Sequence, residues 1–203
     1  MMVREKIILA SASASRAEIL RNAGLDVDVK PALIDEETVK QAILSEDSGV
    51  LPSDFADLLA QAKASSVSEN EPGFAVIGGD QVLVLDGAIF DKPKSKDEAR
   101  DQLVSLRGKT HELISAICVA RHGTTQWSHI SRAQLTMRDF SNEFLGYYLA
   151  AMGDSVTETV GGYKLEGEGA QLFDKVEGDY FTVLGLPLMP LLSYLRSSEV
   201  LYV

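Results

Sequence analysis

An aspartate behind a pair of glycines is the residue of this sequence best placed to do chemistry. Asp80 follows Gly78 and Gly79, which come directly after the apolar stretch at 74–77. If the glycine pair ends a strand there, Asp80 lies at its carboxyl end, where open α/β sheets bind ligands. A carboxylate in that place can hold a hard divalent cation or orient a water molecule. The alternative is a β-bulge in which Asp80 is an ordinary turn residue.

A run of small hydroxyl residues joins a strand candidate to a helix candidate near the N-terminus. Ser11 and Ser13 precede Arg16 in the stretch LASASASRAEIL, residues 9–20. The first N–H groups of a helix have no internal partner and lie at the positive end of its dipole. Together with serine donors and a planar guanidinium, they can bind phosphate. A serine helix cap beside a surface arginine is the alternative.

Three more charged residues stand out by their positions. Glu36 belongs to the acidic run 35–37 and can supply a metal ligand, although such runs are typical of a solvated surface. Lys63 follows the apolar face of a predicted helix, and Lys92 lies in the turn sequence DKP. An isolated lysine is normally solvated, so these two contribute to a site only if they point inward.

A glycine-rich segment at 161–169 is the other unusual feature. Its glycines allow the backbone to approach a ligand closely. Within it, Tyr163 can stack on a nucleobase and Glu166 can accept hydrogen bonds from one. A flexible surface loop is the alternative.

These residues need a scaffold, and the hydrophobic pattern predicts one. Helix and strand patterns alternate, with hairpins among them, which predicts an α/β fold with a mixed twisted sheet. We expect one domain over residues 1–203, with two lobes around a central cleft. The predicted strands are 6–10, 27–31, 74–77, 82–85, 88–90, 110–121 and 127–138, and the predicted helices are 16–23, one beginning at Ser53 or Asp54, 95–108, 141–153 and 187–196, with part of 35–47.

Composition excludes several classes of protein. The formal charge of −11 disfavours a broad surface for nucleic acid or for an anionic membrane. Cys118 is the only cysteine, which excludes an intramolecular disulfide and a multi-cysteine zinc site, and we expect it in the core. No apolar stretch approaches the roughly 20 residues that span a bilayer. We therefore expect a soluble cytoplasmic protein.

Taken in order, several segments resemble the Maf family of house-cleaning nucleoside triphosphate pyrophosphatases, once described as septum-formation inhibitors. The resemblance runs from about Ile7 to Leu195 and implies a two-lobed α/β fold related to the inosine triphosphate pyrophosphatases, often homodimeric. It also implies hydrolysis of the α–β phosphoanhydride of a nucleotide with Mg²⁺ or Mn²⁺. The segments are LASASASR, ALIDEE, LAQAKA, GGDQVLVLDGAIFDKP, LRGKTHELISAICV, GGYKLEGEGAQLFDKVEGDY and VLGLPL.

The resemblance also implies a role for each candidate residue. It implies that Asp80 is the catalytic acid/base and, with Glu36, a metal ligand. The residues that it implies for phosphate and active-site contacts are Ser11, Ser13, Arg16, Lys63 and Lys92. The chain departs from the family at Ala14 and Ser15, where relatives carry proline followed by arginine or tryptophan, so one cation or one stacking ring is missing.

Two positions bear on the choice of nucleotide. Gln81 and Glu166 stand where the branch acting on dTTP and UTP has threonine and glutamine, and they resemble the branch acting on 7-methyl-GTP. Guanine presents two neighbouring donors that one carboxylate can accept, and methylation at N7 adds positive charge to the base. A pyrimidine edge suits an amide better. The alternatives are a dTTP/UTP pyrophosphatase and a non-catalytic nucleotide-binding regulator of cell division.

Overall fold

The computed structural model describes residues 5–36, 38 and 50–202. Its chain divides into two compact units. The first comprises residues up to 81, 115–131 and those from 180 onward, and the second comprises 82–114 and 132–179. The predicted cleft between lobes stays a prediction.

Helices and strands alternate along the chain much as predicted, and the acidic segment 35–47 lies mostly outside the described residues. In no described helix is there an apolar stretch long enough to cross a membrane. In chain order the elements are β1 (Ile7–Leu9), α1 (Ala14–Asn22), β2 (Val27–Val29), α2 (Pro52–Ser68), β3 (Ala75–Leu85), β4 (Ala88–Phe90), α3 (Lys96–Leu106), β5 (Thr110–Arg121), β6 (Thr124–Met137), α4 (Asn142–Met152), β7 (Phe173–Glu177), α5 (Tyr180–Val183) and α6 (Leu188–Ser197).

The strands form one mixed sheet, as the sequence predicts. They are hydrogen-bonded in the order β2-β1-β3-β5-β6-β7, and β4 pairs with β3. Strand β1 runs parallel to both neighbours, so that Ile7 lies opposite Val27 on one side and Ala75 on the other. The β3–β4 and β6–β7 pairs are antiparallel. Because β1 runs parallel to β3 with Leu9 opposite Ile77, the segment that follows β1 comes close to residues 78–80 inside β3, and this places the candidate site.

The core of the first unit surrounds β1. Ile7, Leu9 and Ile77 are fully or almost fully buried, and Leu20 of α1 and Leu191 of α6 join the same cluster. Burial of each such aliphatic side chain contributes about 1.5–3 kcal/mol. The cluster therefore fixes α1 and α6 on the sheet. Cys118 is buried, as predicted.

The second unit has its own buried aromatic cluster, and it contains Tyr163. The phenol is only 5% exposed, its oxygen lies 2.7 Å from His111 Nε2, and its ring meets the Phe173 ring edge-on at 4.9 Å. The suggestion that Tyr163 stacks on a nucleobase is therefore wrong, because the ring is buried in protein. Burial lowers the pKa of His111 to about 4.

Candidate active site

Asp80 lies in the middle of a strand, not at the end of one. Strand β3 runs without a break from Ala75 to Leu85 through Gly78 and Gly79, so the prediction of a strand that ends at the glycine pair is wrong. Neither glycine has a positive φ, and both adopt ordinary extended backbone. The glycines serve close packing instead of a turn, since each lies where another group approaches the strand.

Gly78 lets helix α2 lie directly against the strand. A β-carbon built at this position would stand 2.2 Å from the carbonyl oxygen of Ala60 and 2.8 Å from Cβ of Ala64. Ala60 and Ala64 are completely buried, so the contact consists of small groups only. Lys63 lies between these alanines in the helix and is carried towards Asp80 by this packing.

Lys63 joins two carboxylates. Its Nζ lies 2.7 Å from Asp80 Oδ1 and 3.0 Å from Glu36 Oε1. The side chains of Lys63 and Asp80 are almost completely buried, whereas that of Glu36 is 56% exposed. The structure thus brings together three residues for which the family resemblance implied a shared site, and Lys63 points inward.

The opening stretch is a helix cap that also holds an arginine. Ser13 is the N-cap of α1, where its hydroxyl accepts the Arg16 backbone N–H at 3.4 Å. Arg16 Nη1 donates to Ser11 Oγ at 3.1 Å and to the Gly79 carbonyl at 2.8 Å, while Nε donates to the Gly185 carbonyl at 2.8 Å. Among the described residues none accepts from Nη2. The cap is confirmed, and Nη2 is the nitrogen left for an anion.

Burial and charge together tune the titrating groups. Burial raises the pKa of Asp80 above that of an ordinary carboxyl group, and the neighbouring charges of Lys63 and Arg16 oppose this rise. Burial lowers the pKa of Arg16, while Asp80 and Glu36 act to raise it. A carboxylate with a raised pKa is a stronger base than one in water, which suits proton transfer from a nucleophile.

Gln81 follows Asp80 but turns its amide into the protein. Its Nε2 donates to Ser115 Oγ at 2.9 Å and to the backbone carbonyls of Thr182 and Val183 at 3.1 and 3.0 Å. The side chain that the sequence assigns to the substrate therefore has three protein acceptors.

Lys92 and Glu166 belong to the second unit, and both are exposed. Their roles stay predictions. Ser15 is the second residue of α1 and is half-buried.

The carboxylate pair suits a divalent cation of the hard type. Asp80 and Glu36 already present oxygen atoms to one cation, the Lys63 ammonium, so these oxygens can be no further apart than the two contact distances combined. In residues 5–36, 38 and 50–202, no group of three His, Cys, Asp or Glu side chains could hold a metal. Two carboxylates completed by water and phosphate oxygens are a common arrangement for Mg²⁺.

Sequence reasoning missed the partners that fix Arg16 and Gln81. Gly185 and Thr182 lie in the segment ending in VLGLPL, which carried the family resemblance but no predicted role. Ser115 lies in the apolar strand β5 and is completely buried. A buried hydroxyl inside an apolar strand was the one available signal, because buried polar groups are nearly always hydrogen-bonded.

Comparison with known proteins identifies the family of this chain. A family model described as “Maf-like protein” matches residues 6–198. The 7-methyl-GTP pyrophosphatase of Brucella abortus is 48% identical over 96% of both chains. The nucleoside triphosphate pyrophosphatase of Granulibacter bethesdensis is 45% identical over 98% of this chain and all of its own. A HAM1 protein from Coxiella burnetii covers 76% of this chain and 100% of its own at 14% identity, with a TM-score of 0.40, too low to support an argument. On the family model and the two relatives, the chain belongs to the Maf-like protein family.

Proposed function

We propose that this protein is a nucleoside triphosphate pyrophosphatase that hydrolyses the α–β phosphoanhydride, releasing a nucleoside monophosphate and pyrophosphate. The observation that carries the proposal is the buried Asp80–Lys63 pair, which Glu36 completes at its exposed side. The names of the two relatives support the same activity. In this proposal Asp80 accepts the proton of the attacking water, and its raised pKa makes it a better base.

The cations of the cluster would contact the phosphates. Arg16 keeps Nη2 for a phosphate oxygen, and the N-terminal turn of α1 beside Ser13 offers backbone N–H groups. Lys63 would exchange one of its carboxylate contacts for a phosphate oxygen. Phosphoryl transfer depends mostly on such positioning and charge stabilisation, so these residues would account for most of the rate.

A divalent metal, Mg²⁺ or Mn²⁺, belongs to the proposal, with Asp80 and Glu36 as its protein ligands. Such an ion would neutralise phosphate charge and polarise the bond that breaks. The charges of Arg16, Lys63, Asp80 and Glu36 cancel, so these four side chains offer no net positive charge to a triphosphate. A metal bound between Asp80, Glu36 and the phosphates would supply the missing charge.

7-Methyl-GTP is the substrate that we infer. Glu166 is exposed and available to accept the two donors of a guanine edge, and the Brucella relative carries this substrate in its name. We also infer a cytoplasmic homodimer, as the family resemblance implies. Sedimentation of the purified protein tests the dimer, and a preference for dTTP or UTP over 7-methyl-GTP would reject the substrate.

Asp80→Asn is the decisive variant for the activity. We expect its kcat to fall by at least about 10²-fold while its circular dichroism stays that of the parent, because the amide cannot accept the proton. Asp86→Asn is the matched control, since Asp86 lies in the β3–β4 turn with its side chain 80% exposed. Pyrophosphate release is measured with 7-methyl-GTP, GTP, dTTP and UTP under Mg²⁺ and Mn²⁺. Nucleotide binding without any pyrophosphate release would favour the regulator instead.

A further inference from the structure

The amide nitrogen of Gln81 is already committed to the protein. Its Nε2 carries two N–H groups, and three acceptors surround it: Ser115 Oγ and the carbonyls of Thr182 and Val183. Ser115 donates in turn to the Thr182 carbonyl at 2.8 Å, and both residues are at most 1% exposed. A nucleobase could receive a hydrogen bond from this amide only after one of these buried bonds had broken.

The segment that Gln81 holds is the one that orients Arg16. Gly185 donates its N–H to the Thr182 carbonyl at 3.1 Å, so these two residues belong to one tight turn. The Gly185 carbonyl accepts Arg16 Nε at 2.8 Å. Any shift of the Thr182–Val183 carbonyls therefore moves the acceptor that fixes the guanidinium.

Strand β3 holds the Arg16 guanidinium from the side opposite Gly185. Arg16 Nη1 donates to the carbonyl of Gly79, which lies two residues before Gln81 on the same strand. A β-carbon at Gly79 would stand 3.4 Å from Arg16 Nε, and one at Gly185 would stand 3.4 Å from Nη2. The guanidinium thus lies between two glycines, and its plane is set by contacts on both sides.

We propose that Gln81 is a positioning residue for Arg16 and does not donate a hydrogen bond to the nucleobase. By holding the Thr182–Val183 backbone, it places the Gly185 carbonyl so that Arg16 Nη2 faces the phosphates of the substrate. This inference rests on the proposed function and adds a specificity consequence. Every nucleoside triphosphate presents the same phosphates, so the positioning of Arg16 by Gln81 should affect all of them equally.

Steady-state kinetics separates the two roles of Gln81. Gln81→Met keeps a side chain of similar length without N–H donors, and we expect kcat/KM to fall at least about tenfold, mainly through kcat, because a displaced catalytic group reacts poorly. The factor should be the same for 7-methyl-GTP, GTP, dTTP and UTP. A loss confined to purines or to pyrimidines would overturn the inference. Ser115→Ala, which removes one acceptor, should give a smaller loss that is likewise independent of the base.

A double-mutant cycle tests whether the effect passes through Arg16. If it does, Gln81→Met should lower kcat/KM by less than about threefold in a protein that already carries Arg16→Ala, because the effects of coupled residues are not additive. Multiplicative losses in the double variant would overturn the inference. Ser115→Ala can replace Gln81→Met in the same cycle if the latter folds poorly.

Hydrogen exchange at the arginine side chain gives a readout that needs no catalysis. The Arg16 Nε–H is hydrogen-bonded to Gly185 and should exchange slowly in the parent protein. Gln81→Met should accelerate it, as followed by NMR and assigned with Arg16→Lys. Gln102→Met is the matched control, because Gln102 is another buried glutamine whose Nε2 donates to a backbone carbonyl, that of Asp91.

Exchange that is unchanged by Gln81→Met would overturn the inference even in a protein that proves inactive. A parent protein that releases no pyrophosphate would instead refute the proposed function, so the two failures are distinguishable.

Discussion

Gly78→Ala should damage the active site through packing alone. The added Cβ would stand 2.2 Å from the Ala60 carbonyl oxygen and 3.0 Å from the Ala64 nitrogen, and both of these are helix backbone atoms. Neither atom can rotate away, so helix α2 must retreat from strand β3 by about 1 Å to restore an ordinary contact. Overpacking of this kind costs about 1–3 kcal/mol of unfolding free energy.

The same displacement moves Lys63. Because Lys63 lies between Ala60 and Ala64 in α2, a retreat of this helix carries its ammonium away from Asp80, from which it now lies 2.7 Å. A misplacement of about 1 Å can cost roughly 10²-fold in rate. We therefore expect kcat/KM to fall about 10²-fold, far more than the loss of stability alone would cause in a protein that remains folded.

Urea unfolding gives the unfolding free energy of Gly78→Ala, and pyrophosphate release gives its kcat/KM. Both are measured on the same preparation. Gly146→Ala is the control, because Gly146 is exposed in helix α4 and a Cβ there meets nothing within 4 Å. That change should raise the unfolding free energy by about 0.5–1 kcal/mol and leave kcat/KM unchanged. If Gly78→Ala were as active as the parent, close packing at Gly78 would not be what places Lys63.

Three further changes probe single interactions. Lys63→Met removes a cation that lowers the pKa of Asp80, so the acid limb of the kcat/KM profile should move to higher pH; an unmoved limb would contradict the pairing. Burial lowers the pKa of His111 from 6.5 to about 4, so between these two pH values the unfolded state binds a proton that the folded state does not. The unfolding free energy therefore falls by about 3 kcal/mol as the pH is lowered from 6.5 to about 4. In His111→Gln the unfolding free energy should depend less on pH, as measured by urea titrations at several pH values between 7 and 4. Ser13→Ala removes the cap of α1 and should lower the unfolding free energy by about 1 kcal/mol, measured at neutral pH.

Local signals predicted the elements well wherever neighbouring residues decide the structure. Ser95 caps helix α3 by accepting the Glu98 N–H, as the capping sequence indicates. Glu98 in turn accepts the N–H of Lys94, one residue before the N–H that a capping box uses. The turn at Asp86 and Gly87 has positive φ at both residues and joins β3 to β4. Such contacts are complete within a few residues, so the sequence carries all the information that they need.

Distant partners explain what the sequence could not predict. A Gly-Gly pair normally indicates a turn, but at Gly78 and Gly79 the helix α2 and Arg16 replace the missing side chains, and both come from elsewhere in the chain. In the same way, Gln81 meets carbonyls about a hundred positions away. The convergence of Asp80, Lys63 and Glu36 was available only from the family resemblance, since no local pattern relates positions so far apart.

Charge gives a physical reason to expect that packing carries much of the proposed reaction. A chain with a formal charge of −11 repels a triphosphate at long range, so electrostatic steering cannot favour encounter. At short range the cations Arg16 and Lys63 are cancelled by Asp80 and Glu36. Beyond the charge that a bound metal would supply, stabilisation would come from the direction and distance of individual donors, where burial strengthens each contact. The glycines that allow helix α2 and Arg16 to approach strand β3 are therefore as necessary to the proposed reaction as the charged groups that they position.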